Sequence, residues 1–213
     1  MKNAEGSGVN MSLSHVWKNV RWLLLVVALL YIAAVIWNIQ WPASKEKTDA
    51  AVAAIHAQRL TMADADGKHL PPAPDPRLVD ATVEGIDANS NGIRDDVELA
   101  IYKKYPNSPY TRTAELQYAK ALQKYLVSVF NSETWIAAAI EDSRAYTCIS
   151  ESYPRTNLSL HGHVVDQRSK EVEDMVFNNT DRKNTKLNAD SYITSVALPD
   201  NDFCDFDAGS IVI

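Results

Sequence analysis

The chain is poor in the residues that build most catalytic and nucleotide-binding signatures. Its 213 residues hold two cysteines and seven glycines. No Cys-x-x-Cys pair is present, so dithiol redox catalysis has no basis here. No glycine-rich loop can cradle a phosphate, and no serine lies in a Gly-x-Ser-x-Gly elbow or a Ser-x-x-Lys setting. Sustained apolar–polar alternation, the mark of a half-buried strand, is missing, and so is any internal repeat. Basic charge is scarce as well: 21 Lys and Arg stand against 27 Asp and Glu, a net of −6. The first 41 residues take three of the basic groups and one of the acidic, leaving 18 and 26 beyond them, a net of −8. Nucleic acid needs clustered Lys and Arg to displace its counterions, so it is excluded as a partner. Broad contact with anionic lipid is disfavoured for the same reason.

What is present begins with one long apolar run. Residues 22–39 read WLLLVVALLYIAAVIWNI and carry no charge. At 1.5 Å per residue, about 18 residues reach roughly 27 Å, close to the hydrocarbon thickness of a bilayer. Trp17 and Trp22 stand at one end and Trp37 and Trp41 at the other, as indoles do in headgroup layers. Lys18 and Arg21 flank the N-terminal end, while Lys45 and Lys47 follow the far end mixed with Glu46 and Asp49. The positive-inside rule therefore decides weakly. The long acidic C-terminal part and its cysteines favour a cytoplasmic N-terminus, with the rest periplasmic or extracytoplasmic on an inner membrane. The alternative is a cleaved signal peptide. Trp41 falls at the third position before a break after Ala43, where a small residue is preferred. Cys148 and Cys204 both follow the run, and an even pair in an oxidising compartment is most simply a disulfide. Two reduced, buried cysteines are the other reading.

Five segments are expected: a cytoplasmic tail at 1–19, a membrane anchor at 20–41, an alanine-rich helical stalk at 42–63, a proline-rich linker at 64–76, and a helical extracytoplasmic domain at 77–213. The linker has Pro71, Pro72, Pro74 and Pro76, which lack the N–H a helix needs. Helices are predicted from Arg94 to Tyr105, from Pro109 with Ser108 as cap to Phe130, where Asn131 and Ser132 break the helix and recap the next, from Glu133 to Glu151, and from Leu160 to Val176. A weaker one spans Thr185 to Ala197. The third is expected to turn Trp135, Ile136, Ala139, Ile140 and Tyr146 inward. The fold class is mainly α, with a single N-terminal transmembrane helix.

The most informative stretch is Asp87-Ala-Asn89-Ser-Asn91-Gly92-Ile93-Arg94-Asp95-Asp96-Val97-Glu98. It resembles the calcium loops of EF-hands and of thrombospondin type 3 repeats. Calcium takes six to eight hard oxygen ligands, and such loops supply them from positions 1, 3, 5, 7, 9 and 12, with glycine at position 6 for the turn. The resemblance implies side-chain oxygens from Asp87, Asn89 and Asn91 and the carbonyl of Ile93. It further implies a water-linked Asp95 and a bidentate Glu98. Position 8, usually aliphatic, is Arg94, so the strand that pairs two EF-hands is not encoded. Gly85 interrupts any incoming helix. A single loop-then-helix site is the expectation. A helix-capping turn rich in Asp and Asn is the alternative.

Other clusters are weaker. His161-Gly162-His163 with Asp166 fits no zinc spacing. Glu171, Glu173 and Asp174 with Arg168 and Lys170 read as a solvated helix face. The segment Asp202-Phe-Cys204-Asp205-Phe-Asp207 reads as a tail pinned by the disulfide, with an acidic site as the alternative. No catalytic constellation is evident. The expected function is that of a calcium-stabilised interaction module with an unidentified protein partner, an accessory subunit of an envelope complex. The competing reading is an envelope hydrolase. It would use the Glu141–Asp142 pair and the 171–174 acids at separations the fold must set.

Overall fold

The structure is a computed structural model, and it describes residues 13–197 and 202–206. Most of the tail expected at 1–19 therefore lies outside the described residues. The described residues form seven helices and no strands. Two compact units divide the chain, 1–47 and 48–213.

Helix α1 (Leu13–Ala57) contains the apolar run. Among the described residues one stretch, Asn19–Ile36, is long and apolar enough to cross a membrane, and none of it is buried. Trp17 and Trp22 are 71% and 70% exposed. The side chains of Trp37 and Trp41 are outside the described set.

The second unit takes in the last turns of α1, with Thr48 and Ile55 buried. It continues through α2 (Met62–Ala65), α3 (Asp95–Lys104), α4 (Pro109–Val127), α5 (Ser132–Glu151), α6 (Leu158–Val176) and α7 (Thr180–Asp190). The boundary drawn near Arg77 from the prolines thus falls inside a unit that begins at Thr48. Part of the stalk belongs to the body because Ile55 adds apolar area and Thr48 accepts a hydrogen bond from Asn131 Nδ2 at 2.9 Å. The start of the linker is also tied down. The Arg112 guanidinium lies over the Tyr102 ring and donates to the Ala65 carbonyl, while Tyr102 donates to the carbonyl of Asp64.

Helix α4 is the axis of this unit. Every residue from Arg112 to Leu126 is buried, so the helix is surrounded by α2, α3, α5, α6 and α7 rather than lying on them by one face. Leu116, Ala119, Leu122 and Leu126 pack as their spacing predicts, each large aliphatic contributing about 1.5–3 kcal/mol of transfer free energy. Its buried polar residues reach backbone groups instead. Lys124 Nζ donates to the Ile55 carbonyl at 2.9 Å, and Lys120 Nζ to that of Arg59 at 3.2 Å. Both ammonium groups therefore sit at the C-terminal end of α1, where unpaired carbonyls and the helix dipole favour cations. Burial still pushes Lys124 down to about 8.

Several local expectations change. Ser108 makes no side-chain capping bond, and α4 starts on Pro109 alone. Asn131 caps α5 as predicted, in a reciprocal box with Thr134. Helix α5 turns Trp135, Ala138, Ala145 and Ile149 inward, while Ile140 is only half-buried and Tyr146 is 39% exposed with its hydroxyl on Asp166. The inward face is set by alanines, whose small side chains allow close approach to α4. Helix α7 starts at Thr180, five residues ahead of the prediction, because Asn179 accepts from the Arg182 N–H and caps it there.

Candidate functional site

The loop at 87–98 is built around its own side chains. Gly92 takes φ +84°, the left-handed turn that glycine adopts freely. Asp87 spans the loop, its two oxygens accepting the N–H groups of Asn91 at 3.1 Å and Gly92 at 2.8 Å. Asn91 Oδ1 accepts the Ile93 N–H at 2.8 Å. Asn89 and Asn91 both donate to Glu98 Oε2, at 3.2 and 3.0 Å. Asp95 turns back into the loop, where Oδ1 accepts the Ala88 N–H at 3.0 Å. Side-chain bonds thus join Asn89 and Asn91 to Glu98, while Asp87 and Asp95 hold backbone N–H groups of the loop. Ile93 is buried in the hydrophobic core and can offer only backbone to the loop.

The electrostatics of the two inner acids are unusual. Glu98 is 1% exposed, and its neighbours are amides and further acids. Burial raises its carboxyl to about 7 against the relief of the Asn91 and Asn89 hydrogen bonds. Asp95 is equally buried and is also raised, first by burial. Its Oδ2 has no hydrogen-bond partner. Among the described residues no three His, Cys, Asp or Glu side chains gather closely enough to hold a metal ion by themselves. Any ion here would also need the amide and carbonyl oxygens. An all-oxygen set suits a hard cation such as calcium better than zinc.

Arg94 shows why position 8 departs from the usual pattern. Its side chain is wholly buried and leaves the loop, donating to the carbonyls of Met175 and Val176 at the end of α6 and to Asp96. It passes directly under Gly85, where an added Cβ would lie 2.2 Å from Arg94 Cδ. Gly85 itself adopts φ +72°. Arg182, equally buried, fastens the preceding segment by donating to Asp80 and to the carbonyls of Val79, Thr82 and Val83.

A second polar centre lies at the C-terminal segment. Cys148 and Cys204 form a disulfide, S–S 2.06 Å. Next to it, Asp205 receives Arg144 at 3.2 Å, Arg59 at 3.0 Å and the Leu60 N–H at 2.8 Å. Gln117 holds the same strap from α4, donating to the Phe203 carbonyl and accepting the Asp205 N–H. Phe206 packs against the core. Asp207 lies outside the described residues.

The acids considered for hydrolysis are divided within each group, but Asp142 and Glu173 lie near enough that, after burial, the charge of Glu173 helps to raise Asp142. Glu141 meets His56 and Arg144, each at 2.7 Å. Asp142, on the next position of α5, faces elsewhere and accepts from Tyr125 at 3.1 Å, with burial raising it to about 6. Glu171 pairs with Lys104, Glu173 accepts from Tyr118, and Asp174 pairs with Lys170. Arg168 does not belong to a solvated face. It is buried against Glu115 at 2.8 Å. His161 Nε2 meets the Ser150 carbonyl at 3.0 Å.

Sequence reasoning named Asp205 within the acidic tail but did not join it to Arg144 and Arg59, and it gave Lys120 no role. Arg144 and Asp205 are 61 positions apart and Arg59 and Asp205 146 apart, so no local spacing could have joined them. No protein-family model matches this chain, and no curated protein and no solved structure is significantly similar to it.

Proposed function

We propose that this chain is a membrane-anchored helical module on the far side from the cytoplasm, stabilised by one calcium ion at residues 87–98, that engages a protein partner. The observation that carries the reading is Glu98. A carboxylate buried to 1% exposure, bonded to two amides and meeting no cationic side chain among the described residues, is costly unless a cation joins it. Asp95 Oδ2, buried and without a hydrogen-bond partner, adds to this. Asp87, Asn89, Asn91, the Ile93 carbonyl, Asp95 and Glu98 would hold the ion, and its charge would offset the buried acids. The amide groups that now donate to Glu98 would turn their oxygens to the ion.

The anchor reading is supported by the exposed apolar stretch Asn19–Ile36. The cysteine pair, bonded as expected of an oxidising compartment, supports the orientation. Calorimetric titration of chelator-stripped protein with calcium tests the loop. Binding at submillimolar to millimolar concentration is expected, within the range of extracellular modules. Asp87→Ala and Glu98→Ala should abolish it, and absence of heat with the unaltered protein at millimolar calcium would reduce the loop to a helix-capping turn. A reporter active only outside the cytoplasm, fused after Ile213, should be active. Gentle extraction should recover the protein with other membrane proteins, whereas a clean monomer would count against a partner.

A further inference from the structure

We infer that the seat of the C-terminal strap is a receptor for an extended acidic segment, and that it accepts the strap of a second copy of this chain in exchange for its own. The inference is independent of the calcium reading above. The seat meets both the backbone and the charge of residues 202–206. Gln117 pairs with the strap as a neighbouring peptide would, its Nε2 donating to the Phe203 carbonyl at 2.8 Å and its Oε1 accepting the Asp205 N–H at 2.9 Å. Arg144 Nε donates to the Asp202 carbonyl at 2.7 Å. The Asp205 carboxylate then meets Arg144, Arg59 and the Leu60 N–H. Charge-assisted bonds of this kind are about twice as strong as neutral ones. Arg144 is also held by Glu141 at 2.7 Å, which aims the guanidinium by a contact outside the strap. Asp205 and Arg144 each keep only 4% of the side chain exposed, so the seat is enclosed.

This recognition does not require the strap to belong to the same molecule. Its partners lie on α4, on α5 and in the segment after α1, and an identical strap from another copy presents them with the same groups. The strap follows α7 through a lead-in whose residues Ser191 to Ser195 are exposed, Ile193 to 67%. The 11 positions from Ser191 to Asp202 reach at most roughly 40 Å when extended, enough to cross to a neighbour. Exchanging an identical element keeps its contacts and is a low-cost route to a dimer. Tethering favours the closed form in dilute protein, and crowding favours exchange. The disulfide can follow without a net oxidant. A small thiolate attacking Cys148 of each copy forms a mixed disulfide there and frees Cys204 as thiolate. Cys204 of each copy then attacks Cys148 of the other and releases the small thiol. Two disulfides break, two form, and the thiol is returned.

The test mixes full-length Cys148→Ser with full-length Cys204→Ser in detergent, with oxidised glutathione as the oxidant. Neither variant can close its own disulfide. A disulfide-linked heterodimer is expected on a non-reducing gel, with Cys204 of the first variant joined to Cys148 of the second. Adding Asp205→Asn to the Cys148→Ser variant, which donates the strap, should lower the yield about tenfold, the worth of a lost charge-assisted bond. Adding it instead to the Cys204→Ser variant, whose own strap competes for the seat, should raise the yield. An unchanged yield with the weakened donor overturns the inference, since the link would then come from chance collision. A second measurement needs no variant. Light and heavy-nitrogen copies of the unaltered protein, mixed at high concentration with reduced and oxidised glutathione, should give Cys148–Cys204 peptides with one half of each isotope. Absence of such mixed peptides overturns the exchange.

Discussion

Glu98 and Asp205 are both acids withdrawn from solvent, 1% exposed for the whole residue in one case and 4% for the side chain in the other. Their surroundings are opposite. Asp205 is met by two guanidinium groups and a backbone N–H, drawn from α5 and from the segment after α1. Glu98 is met by two amides of its own loop. Among the described residues, one buried charge has its counter-charge and the other does not. Desolvating an ion costs several kcal/mol, so the first arrangement is self-sufficient and the second calls for a cation or a proton. This contrast separates a structural clamp from the loop for which a cation is proposed, without appeal to any relative.

The largest effect is expected at the clamp. Asp205→Ala leaves buried Arg144 with one carboxylate fewer and should cost about 3–5 kcal/mol, read from urea denaturation. A loss below about 1 kcal/mol would put the clamp among surface ion pairs. Reducing Cys148–Cys204, which spans 56 positions, should cost about 2–4 kcal/mol as a shift in melting temperature. Asp205 should then lose most of its ordering, so Asp205→Ala should cost less in the reduced protein than in the oxidised one.

The acid in the loop should respond to pH in the opposite sense from an ordinary ion-paired carboxylate. Its folded value is raised from 4.5 to about 7, so the native state holds the proton more tightly than the unfolded chain. The stability from this group is present below pH 4.5 and lost as pH rises through 7. In chelator, Glu98→Gln should remove that slope and raise stability at pH 7.5 by on the order of 2–3 kcal/mol. With calcium the preference reverses, because proton and ion compete for the same oxygens. Calcium affinity should weaken as pH falls below about 7, and a pH-independent affinity between 5.5 and 7.5 would remove Glu98 from the site.

The smallest effect is calcium itself. At ~1 mM ion and a dissociation constant of ~0.1 mM, binding stabilises by about 1.4 kcal/mol, a few degrees of melting temperature. Magnesium should do much less, because it resists giving up its water for a large oxygen cage. Arg94→Ala should keep the calcium response while lowering the starting stability, since that side chain serves α6 and not the loop.

What was legible in the sequence was what neighbours in the chain can settle between themselves. The Pro109 start of α4, the Asn131 cap, the apolar run in α1 and the pairing of two cysteines are of this kind. So are the loop's turn at Gly92 and the bonds of Asn89 and Asn91 to Glu98, which need only twelve consecutive residues. Helix ends and turns are governed by short-range sterics and hydrogen bonds, and these are written in residue order. On α5, Trp135, Ile136 and Ala139 pack on the core as expected, and only Ile140 and Tyr146 were misjudged, because the inward alanines give a weak periodic signal against them.

The tertiary structure alone decided where the charges meet. Arg59, Arg144 and Asp205 come from three distant places, and each would be an ordinary surface residue by spacing. Arg94 looked like a misfit at its loop position until α6 ended beside it. Asp64 looked like a linker residue until Tyr102 reached its carbonyl from α3. Burial makes these pairings matter, because a charge removed from water must find its partner in space. Sequence order determined the local frame of this protein, and packing around α4 determined which of its described acids met a cation among the described residues.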